Sequence, residues 1–369
     1  MARILLNGSH AHYLYNFRSQ LVEAMIERGH TVHVSSPDLI GAFADHFRSL
    51  GAKPHDVPLK RTKVSFVGDI AYCRYIHRLI GEEGIDFVLN YTIKPNIWGS
   101  IAARLAGVRS ASMVTGLGFA FISRKGFTRR LTQMVAQRLY RIAARANSHI
   151  IFQNPDDRDD FIRAGCLSDP GKVIMTNGSG VDLSQYLHQP LPDAPTFLTI
   201  ARLLYSKGLS ELVDAARMVR AVVPQSRFLL AGMLDTGPDA VSREQLDAWV
   251  SSGIEYLGHL DDVRPALASS SVFVLPSWRE GTPRTVLEAM AMGRPIITTD
   301  APGCRETTRD GENGYLVPVQ DPEALAKAMI DLAGDSKRRQ QMADASRRMA
   351  ETKYDVEKVN ALLLDDLGL

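Results

Sequence analysis

Apolar strand-like runs and amphipathic helical runs alternate along this chain, stop, and begin again. That double series restricts the fold more than any single motif does. Strands are expected at residues 3–6, 31–35, 87–90 and 149–152, with helices at about 16–28 and 42–50 between the early ones. Such alternation means βαβ units and a parallel sheet covered on both faces. The series restarts with strands at 196–200, 227–231, 254–256 and 272–275 and helices at 210–222 and 283–292. The chain has 369 residues, beyond the roughly 250–300 at which one hydrophobic core stops growing. The expected fold class is therefore α/β, with two Rossmann-like doubly wound domains facing across a cleft. Their expected limits are 1–188 and 189–352, with a C-terminal helix over 353–369 packing back on the first. Open α/β sheets bind ligands at the carboxyl ends of their strands, so a ligand is expected in the cleft.

A net charge of only +2 conceals an asymmetry: residues before 185 carry +8 and those after it −6. No acidic residue lies between Asp86 and Asp156, a stretch that holds ten bases, among them Lys94, Arg124, Lys125, Arg129 and Arg130. On a helix expected over 126–145, Phe127, Leu131, Met134, Val135, Leu139 and Ile142 form an apolar arc. Arg138, Arg141 and Arg145 follow its edge. A basic amphipathic helix in an acid-free context reads as an interfacial element for an anionic membrane surface; a core-packed helix with a solvated basic edge is the alternative. Nucleic acid is not expected as a partner, because the basic run lacks regularly interleaved aromatics. No stretch reaches the roughly 20 apolar residues of a spanning helix. Cys73, Cys166 and Cys304 lie far apart without a Cys-x-x-Cys pair, so neither a disulfide framework nor a zinc site is indicated. The N-terminus reads as a first strand rather than a signal peptide. A cytoplasmic protein, peripheral on the inner face of a membrane, is the expectation.

Two segments of the second series carry candidate chemistry. In the segment from Pro276 to Pro295, Glu280 falls in the loop after a buried strand and Glu288 in the helix that follows. Thr282 and Pro283 read as N-cap and first-turn residue. Backbone N–H groups at Gly281 and Thr282, with the helix dipole behind them, suit an anion. A carboxylate beside such a site suits sugar hydroxyls. A capped surface helix with two solvated glutamates is the plainer alternative. In the segment Ile200-Ala-Arg202-Leu-Leu-Tyr-Ser-Lys207-Gly208, two cations in a strand-to-helix loop can clamp a diphosphate, Arg202 as a bidentate fork and Lys207 as a point charge. Asp157-Arg-Asp159 opens a helix, where acids favour the N-terminus, so it is read as dipole chemistry rather than as a metal site. No Walker loop or complete Gly-x-Gly-x-x-Gly is present.

Together these segments resemble the donor-binding domain of the retaining glycosyltransferases of family 4, which have the GT-B fold. The resemblance extends to Arg28-Gly29-His30-Thr-Val32, Asn177-Gly-Ser-Gly-Val181-Asp182, Leu257-Gly258-His259, Asp300-Ala-Pro-Gly303-Cys-Arg-Glu306 and Asp310-Gly-Glu-Asn-Gly314. It implies a sugar nucleotide donor such as a UDP-sugar, with no cofactor or metal required. Glu280 would lie against the transferred sugar and Glu288 on the ribose, Arg202 and Lys207 would hold the diphosphate, and Leu257, Gly258 and His259 would meet the base. The first half resembles bacterial enzymes that extend sugars linked to undecaprenyl diphosphate, through Asn90-Tyr-Thr-Ile-Lys94-Pro95-Asn96-Ile-Trp-Gly99-Ser100, Thr115-Gly116-Leu-Gly118-Phe-Ala-Phe121 and Phe152-Gln-Asn154-Pro-Asp-Asp157. Such enzymes imply a lipid-linked sugar acceptor, often N-acetylated, and Lys94 with the cluster from Arg124 to Arg130 is the implied contact. The family's glycine-rich first turn is here Asn7-Gly8-Ser-His10-Ala-His12, and its usual histidine is replaced in Gly116-Leu117-Gly118. His10, His12 and Asn16 are the substitutes on the acceptor side. The rival readings are a GT-B sugar nucleotide epimerase, a transferase with another donor and a non-lipid acceptor, a non-catalytic binding module and, more distantly, an NAD-dependent dehydrogenase.

Overall fold

The structure, a computed structural model, describes residues 1–60, 66–117 and 127–369, and side chains at all of these except 66 and 127–132. The chain divides into two compact units, one formed by Met1–Ser179 with Glu357–Leu369 and the other by Gly180–Val356.

In the first unit, strands β1 (Arg3–Asn7), β2 (Thr31–Ser36), β3 (Lys53–Asp56), β4 (Phe87–Tyr91), β5 (Arg109–Val114), β6 (His149–Phe152) and β7 (Val173–Met175) form a parallel sheet in the order β3-β2-β1-β4-β5-β6-β7. Successive residues point to opposite faces, and both faces are covered. Ile4, Leu6, Phe87 and Leu89 face helix Ala11–Glu27 through Leu14, Leu21, Val22 and Met25. Leu5 and Val88 face helix Phe66–Glu83 through Tyr72, Ile76 and Leu79. The last helix, Val356–Leu367, adds Leu363, Leu364 and Leu367 to the first of these clusters. Asp365 Oδ1 there accepts from Arg28 at 2.7 Å.

The first helix begins at Ala11, not near Asn16, so His10 is its N-cap residue and His12 lies on the helix rather than in a loop. Helix Phe127–Ala146 follows the expected span: Tyr140 and Ala144 enter the core, while Met134 and Ile142, members of the apolar arc, are exposed. A polar chain crosses the carboxyl half of the sheet. Asn7 receives hydrogen bonds from Ser35 at 2.9 Å and Tyr72 at 2.7 Å, and donates to Asn90 at 2.9 Å. Asn90 in turn donates to Ser100 at 3.2 Å. Buried polar groups are tolerated when paired in this way.

In the second unit, β8 (Thr196–Ile200), β9 (Arg227–Ala231), β10 (Glu255–Gly258), β11 (Val272–Leu275), β12 (Ile296–Thr299) and β13 (Gly314–Val317) form a parallel sheet in the order β10-β9-β8-β11-β12-β13. The alternation recurs: Phe197, Phe228, Leu230, Val272 and Val274 enter one core layer and Leu198, Leu229, Phe273 and Leu275 the other. The division falls at Ser179/Gly180, ahead of the expected 188/189, because the intervening residues bond into the second unit. Val181 N–H donates to Tyr354 O at 2.7 Å and Gln189 N–H to Met292 O at 3.2 Å, and the fully buried Arg294 donates to Gln189 O and Pro190 O.

Candidate active site

Each sheet reverses its strand order once, between β1 and β4 in the first unit and between β8 and β11 in the second. Loops leaving adjacent strands in opposite directions open a crevice at such a switch point. In the second unit, the loop after β8 carries Arg202 and ends in the turn Tyr205–Lys207, and the loop after β11 carries Glu280. Lys207 Nζ and Glu280 Oε1 form an ion pair across this point, both side chains mostly buried. The two residues are 73 apart in sequence, so tertiary structure alone brings them together.

The backbone fixes this pair in place. Trp278 N–H donates to Ser206 O at 2.9 Å and Glu280 N–H to Pro302 O at 2.9 Å, which stitches the loops after β8, β11 and β12 together. Two glycines permit the close approach. Gly208 has φ +70°, and a Cβ on it would run into Pro276 O. Gly303 has φ +78°, and a Cβ there would strike Glu280 O and Gly281 O. Cys304, beneath the loop, has its thiol pushed up to about 12 by burial and then by the Glu280 carboxylate. It therefore stays protonated and is no nucleophile.

Helix Arg284–Ala291 starts one residue later than expected: Pro283 occupies the N-cap position with φ −72° and ψ 108°, and Thr282 precedes it. Glu288, five residues into the helix, is buried, accepts from Arg284 Nε at 3.1 Å and is hydrogen-bonded to the Tyr186 hydroxyl. Burial raises its pKa, and the Arg284 guanidinium only partly opposes that. Arg202 points to Asp235, at 2.8 Å, with half of its side chain exposed. Asp239 accepts from Ser206 Oγ and holds the turn before Lys207. Leu257, Gly258 and His259 lie at the carboxyl end of β10, two strands from β8. Gly258 O there accepts from Gly232 N–H at 2.8 Å, and His259 Nε2 lies 3.5 Å from Asp261. The structure thus joins Lys207 to Glu280 and places Arg202, Glu288 and residues 257–259 around the same sheet edge on partners of their own. Sequence reasoning missed Asp235, Asp239, Tyr186 and Arg284. Of these, only the Arg284–Glu288 spacing of four on a helix was a local signal.

In the first unit, His10, Lys94 and Gly116 follow β1, β4 and β5 at the sheet's carboxyl edge. Thr92, with φ +78°, donates to Ser9 Oγ at 2.6 Å across the switch point. Lys94 is held by Asp69 at 2.8 Å and Lys60 O at 2.7 Å, with both charged side chains largely buried. His12 Nε2 and Asn16 Nδ2 are 2.8 Å apart, and His10 stacks on Tyr13. Gly118, Arg124 and Lys125 lie outside the described residues. Arg129 and Arg130 belong to helix Phe127–Ala146, but their side chains lie outside that description. Asp157 falls in the first turn of helix Pro155–Arg163, where Asn154 Oδ1 caps its N–H at 2.7 Å.

Two parallel sheets, the second with a cation and a carboxylate paired at its switch point, make this a doubly wound α/β protein. Residues 194–335 match the family described as Glycosyl transferases group 1, and residues 16–178 match Glycosyl transferase 4-like domain. The chain belongs to this glycosyltransferase family. It is 27% identical over 345 residues, 89% of each chain, to the N,N'-diacetylbacillosaminyl-diphospho-undecaprenol alpha-1,3-N-acetylgalactosaminyltransferase of Campylobacter jejuni. It is 27% identical over 292 residues, 76% of this chain and 74% of the other, to the UDP-Gal:alpha-D-GlcNAc-diphosphoundecaprenol alpha-1,3-galactosyltransferase of Escherichia coli. Anabaena HepE, solved in complex with UDP, shares the fold with a TM-score of 0.78 at 20% identity over 99% of both chains. The fold is GT-B, as the resemblance implied.

Proposed function

We propose that the chain transfers an N-acetylhexosamine such as N-acetylgalactosamine from a UDP-sugar to a sugar carried on undecaprenyl diphosphate, with retention at the anomeric carbon. The second unit takes the donor and the first the acceptor. The observation that carries this reading is the Lys207–Glu280 pair at the β8/β11 switch point. Lys207, joined by Arg202 turning from Asp235, offsets the charge of the departing diphosphate, and no metal is needed there. Glu280 accepts from a hydroxyl of the transferred sugar. Glu288 meets the ribose while keeping Arg284 and Tyr186, residues 281–283 line the diphosphate, and residues 257–259 face the base.

Fixed charges placed where negative charge develops are the strongest single source of catalysis in such sites. As the bond between the anomeric carbon and the diphosphate oxygen breaks, the acceptor hydroxyl oxygen bonds to the same face of that carbon. Its proton passes to the departing diphosphate. His10, His12, Asn16, Lys94, Gly116 and Gly118 serve the acceptor side. Lys94 reaches a lipid diphosphate by exchanging Asp69 for it.

Exposed Met134 and Ile142 beside Arg138, Arg141 and Arg145 support docking on an anionic membrane, and the reading also assigns Arg124, Lys125, Arg129 and Arg130 to the lipid-linked acceptor. Among the described residues no helix is long and apolar enough to cross a membrane. This reading makes the chain a peripheral protein of the cytoplasmic face, in glycan, capsule or glycoprotein oligosaccharide assembly. The test is a panel of UDP- and GDP-sugars with undecaprenyl-diphosphate-linked N-acetylhexosamines, followed by mass spectrometry. One added N-acetylhexosamine with UDP donors is expected. Transfer from GDP donors alone, or to none of the lipids, would overturn the assignment.

A further inference from the structure

Three side chains outside both proposed substrate sites converge on the first unit's sheet, away from its carboxyl edge. His33 stands in the middle of β2, and His55 on β3 is opposite Ser35, two positions further on, so both imidazoles project to one face. Helix Phe66–Glu83 covers that face, and Glu83 is its last residue, shortly before β4 begins. His33 Nδ1 lies 3.0 Å from His55 Nε2 and 3.7 Å from Glu83 Oε2. One ligand atom from each of the three falls within 4.8 Å of the others. Ligands bonded at about 2.0–2.2 Å to a tetrahedral zinc stand about 3.3–3.6 Å apart, a spacing that the two shorter separations bracket.

We propose that His33, His55 and Glu83 bind one zinc-class divalent ion, which clips the outer strand β3 and its neighbour β2 to the helix covering them. The donor set, two imidazoles and one carboxylate, is the borderline-soft type that zinc favours, and it leaves a fourth position for water. His33 is fully buried, and its Nε2 has no hydrogen-bond partner among the described residues. The 3.0 Å contact between His33 Nδ1 and His55 Nε2 is of hydrogen-bond length, and an ion between the two rings would replace it. Lys53 Nζ, 3.5 Å from Glu83, shares the carboxylate, but its largely exposed side chain is free to turn into water. The role is structural, because His33 and His55 stand within strands β2 and β3 and Glu83 ends the covering helix, while His10, Lys94 and Gly116 follow β1, β4 and β5.

The test uses the full chain stripped of metal and titrated with Co2+ as a visible probe. One equivalent is expected to produce the intense absorption of a four-coordinate site, to be displaced by one equivalent of Zn2+, and to raise the melting temperature. His55→Gln and Glu83→Gln, at half-buried positions, are expected to fold and to weaken Co2+ binding at least ~100-fold, since even losses outside the ligand set cost ~10–100-fold. Absence of that absorption in the wild type, or unchanged Co2+ affinity in both folded variants, would overturn the proposal.

Discussion

Replacing Lys207 by methionine keeps the length and apolar stem of the side chain and removes its charge, which separates two consequences of the switch-point pair. The lysine and Glu280 side chains are 16% and 15% exposed, so the variant leaves a mostly buried carboxylate with its ammonium partner gone. Breaking a fully buried pair costs about 3–5 kcal/mol. Here partial access to water reduces that to about 2 kcal/mol, or about 4–8 °C in melting temperature for a domain of this size. Catalysis suffers more: losing one well-placed group that stabilises developing charge costs about 3–4 kcal/mol, or ~10²–10³-fold in turnover. Glu280→Gln is expected to keep UDP binding within a few-fold while losing most turnover. The double variant, with no stranded charge, should melt above Lys207→Met yet stay as inactive. The assay is UDP release at saturating donor and acceptor, paired with thermal melts and UDP calorimetry. Turnover of Lys207→Met within tenfold of wild type would refute the assignment of this lysine to the leaving group. A double variant no more stable than Lys207→Met would refute the coupling.

Glu288 has a pKa raised by burial, so the folded state holds a proton that the unfolded state gives up. Its contribution is therefore fully present below the unfolded value of 4.5 and is lost as pH rises through the higher folded value. Glu288→Gln should flatten that part of the stability profile in denaturant melts from pH 4 to 8, and an unchanged slope would exclude Glu288 as its source. Gly208→Ala forces a left-handed backbone on a residue with a Cβ aimed at Pro276 O. A stability loss of about 1–3 kcal/mol with a parallel fall in turnover is expected, and wild-type values for both would show that the loop is not constrained as described. Reversing Arg138, Arg141 and Arg145 to Glu removes about 1 kcal/mol of attraction per base. Sedimentation with phosphatidylglycerol vesicles should weaken ~100-fold or more at low salt, while unaltered sedimentation would move the membrane contact elsewhere.

The strand runs were legible because a strand buried on both faces in a parallel sheet must be apolar nearly throughout. Residues 196–200, 227–231 and 272–275 were placed as they stand in the structure. The start of the first helix was misplaced because His10 caps it without a side-chain hydrogen bond, so no Ser, Thr, Asp or Asn marked the position. Which face of helix Phe127–Ala146 packs inward was not legible, because the small residues Ala143 and Ala144 are the ones buried. A hydrophobic arc ranks such residues below Met134 and Ile142.

Local sequence determined which segments alternate, where Arg202, Lys207, Glu280 and Glu288 fall relative to strands and helices, and the excess of positive charge in the first half. Those properties depend on neighbours a few residues apart. Only the tertiary structure decided that Lys207 meets Glu280, that Arg202 turns to Asp235 and Lys94 to Asp69, and that His33, His55 and Glu83 share one face. Each of those contacts joins residues about 20 to 70 positions apart, and they form because strand order, not chain order, sets which loops and edges are adjacent in a doubly wound sheet.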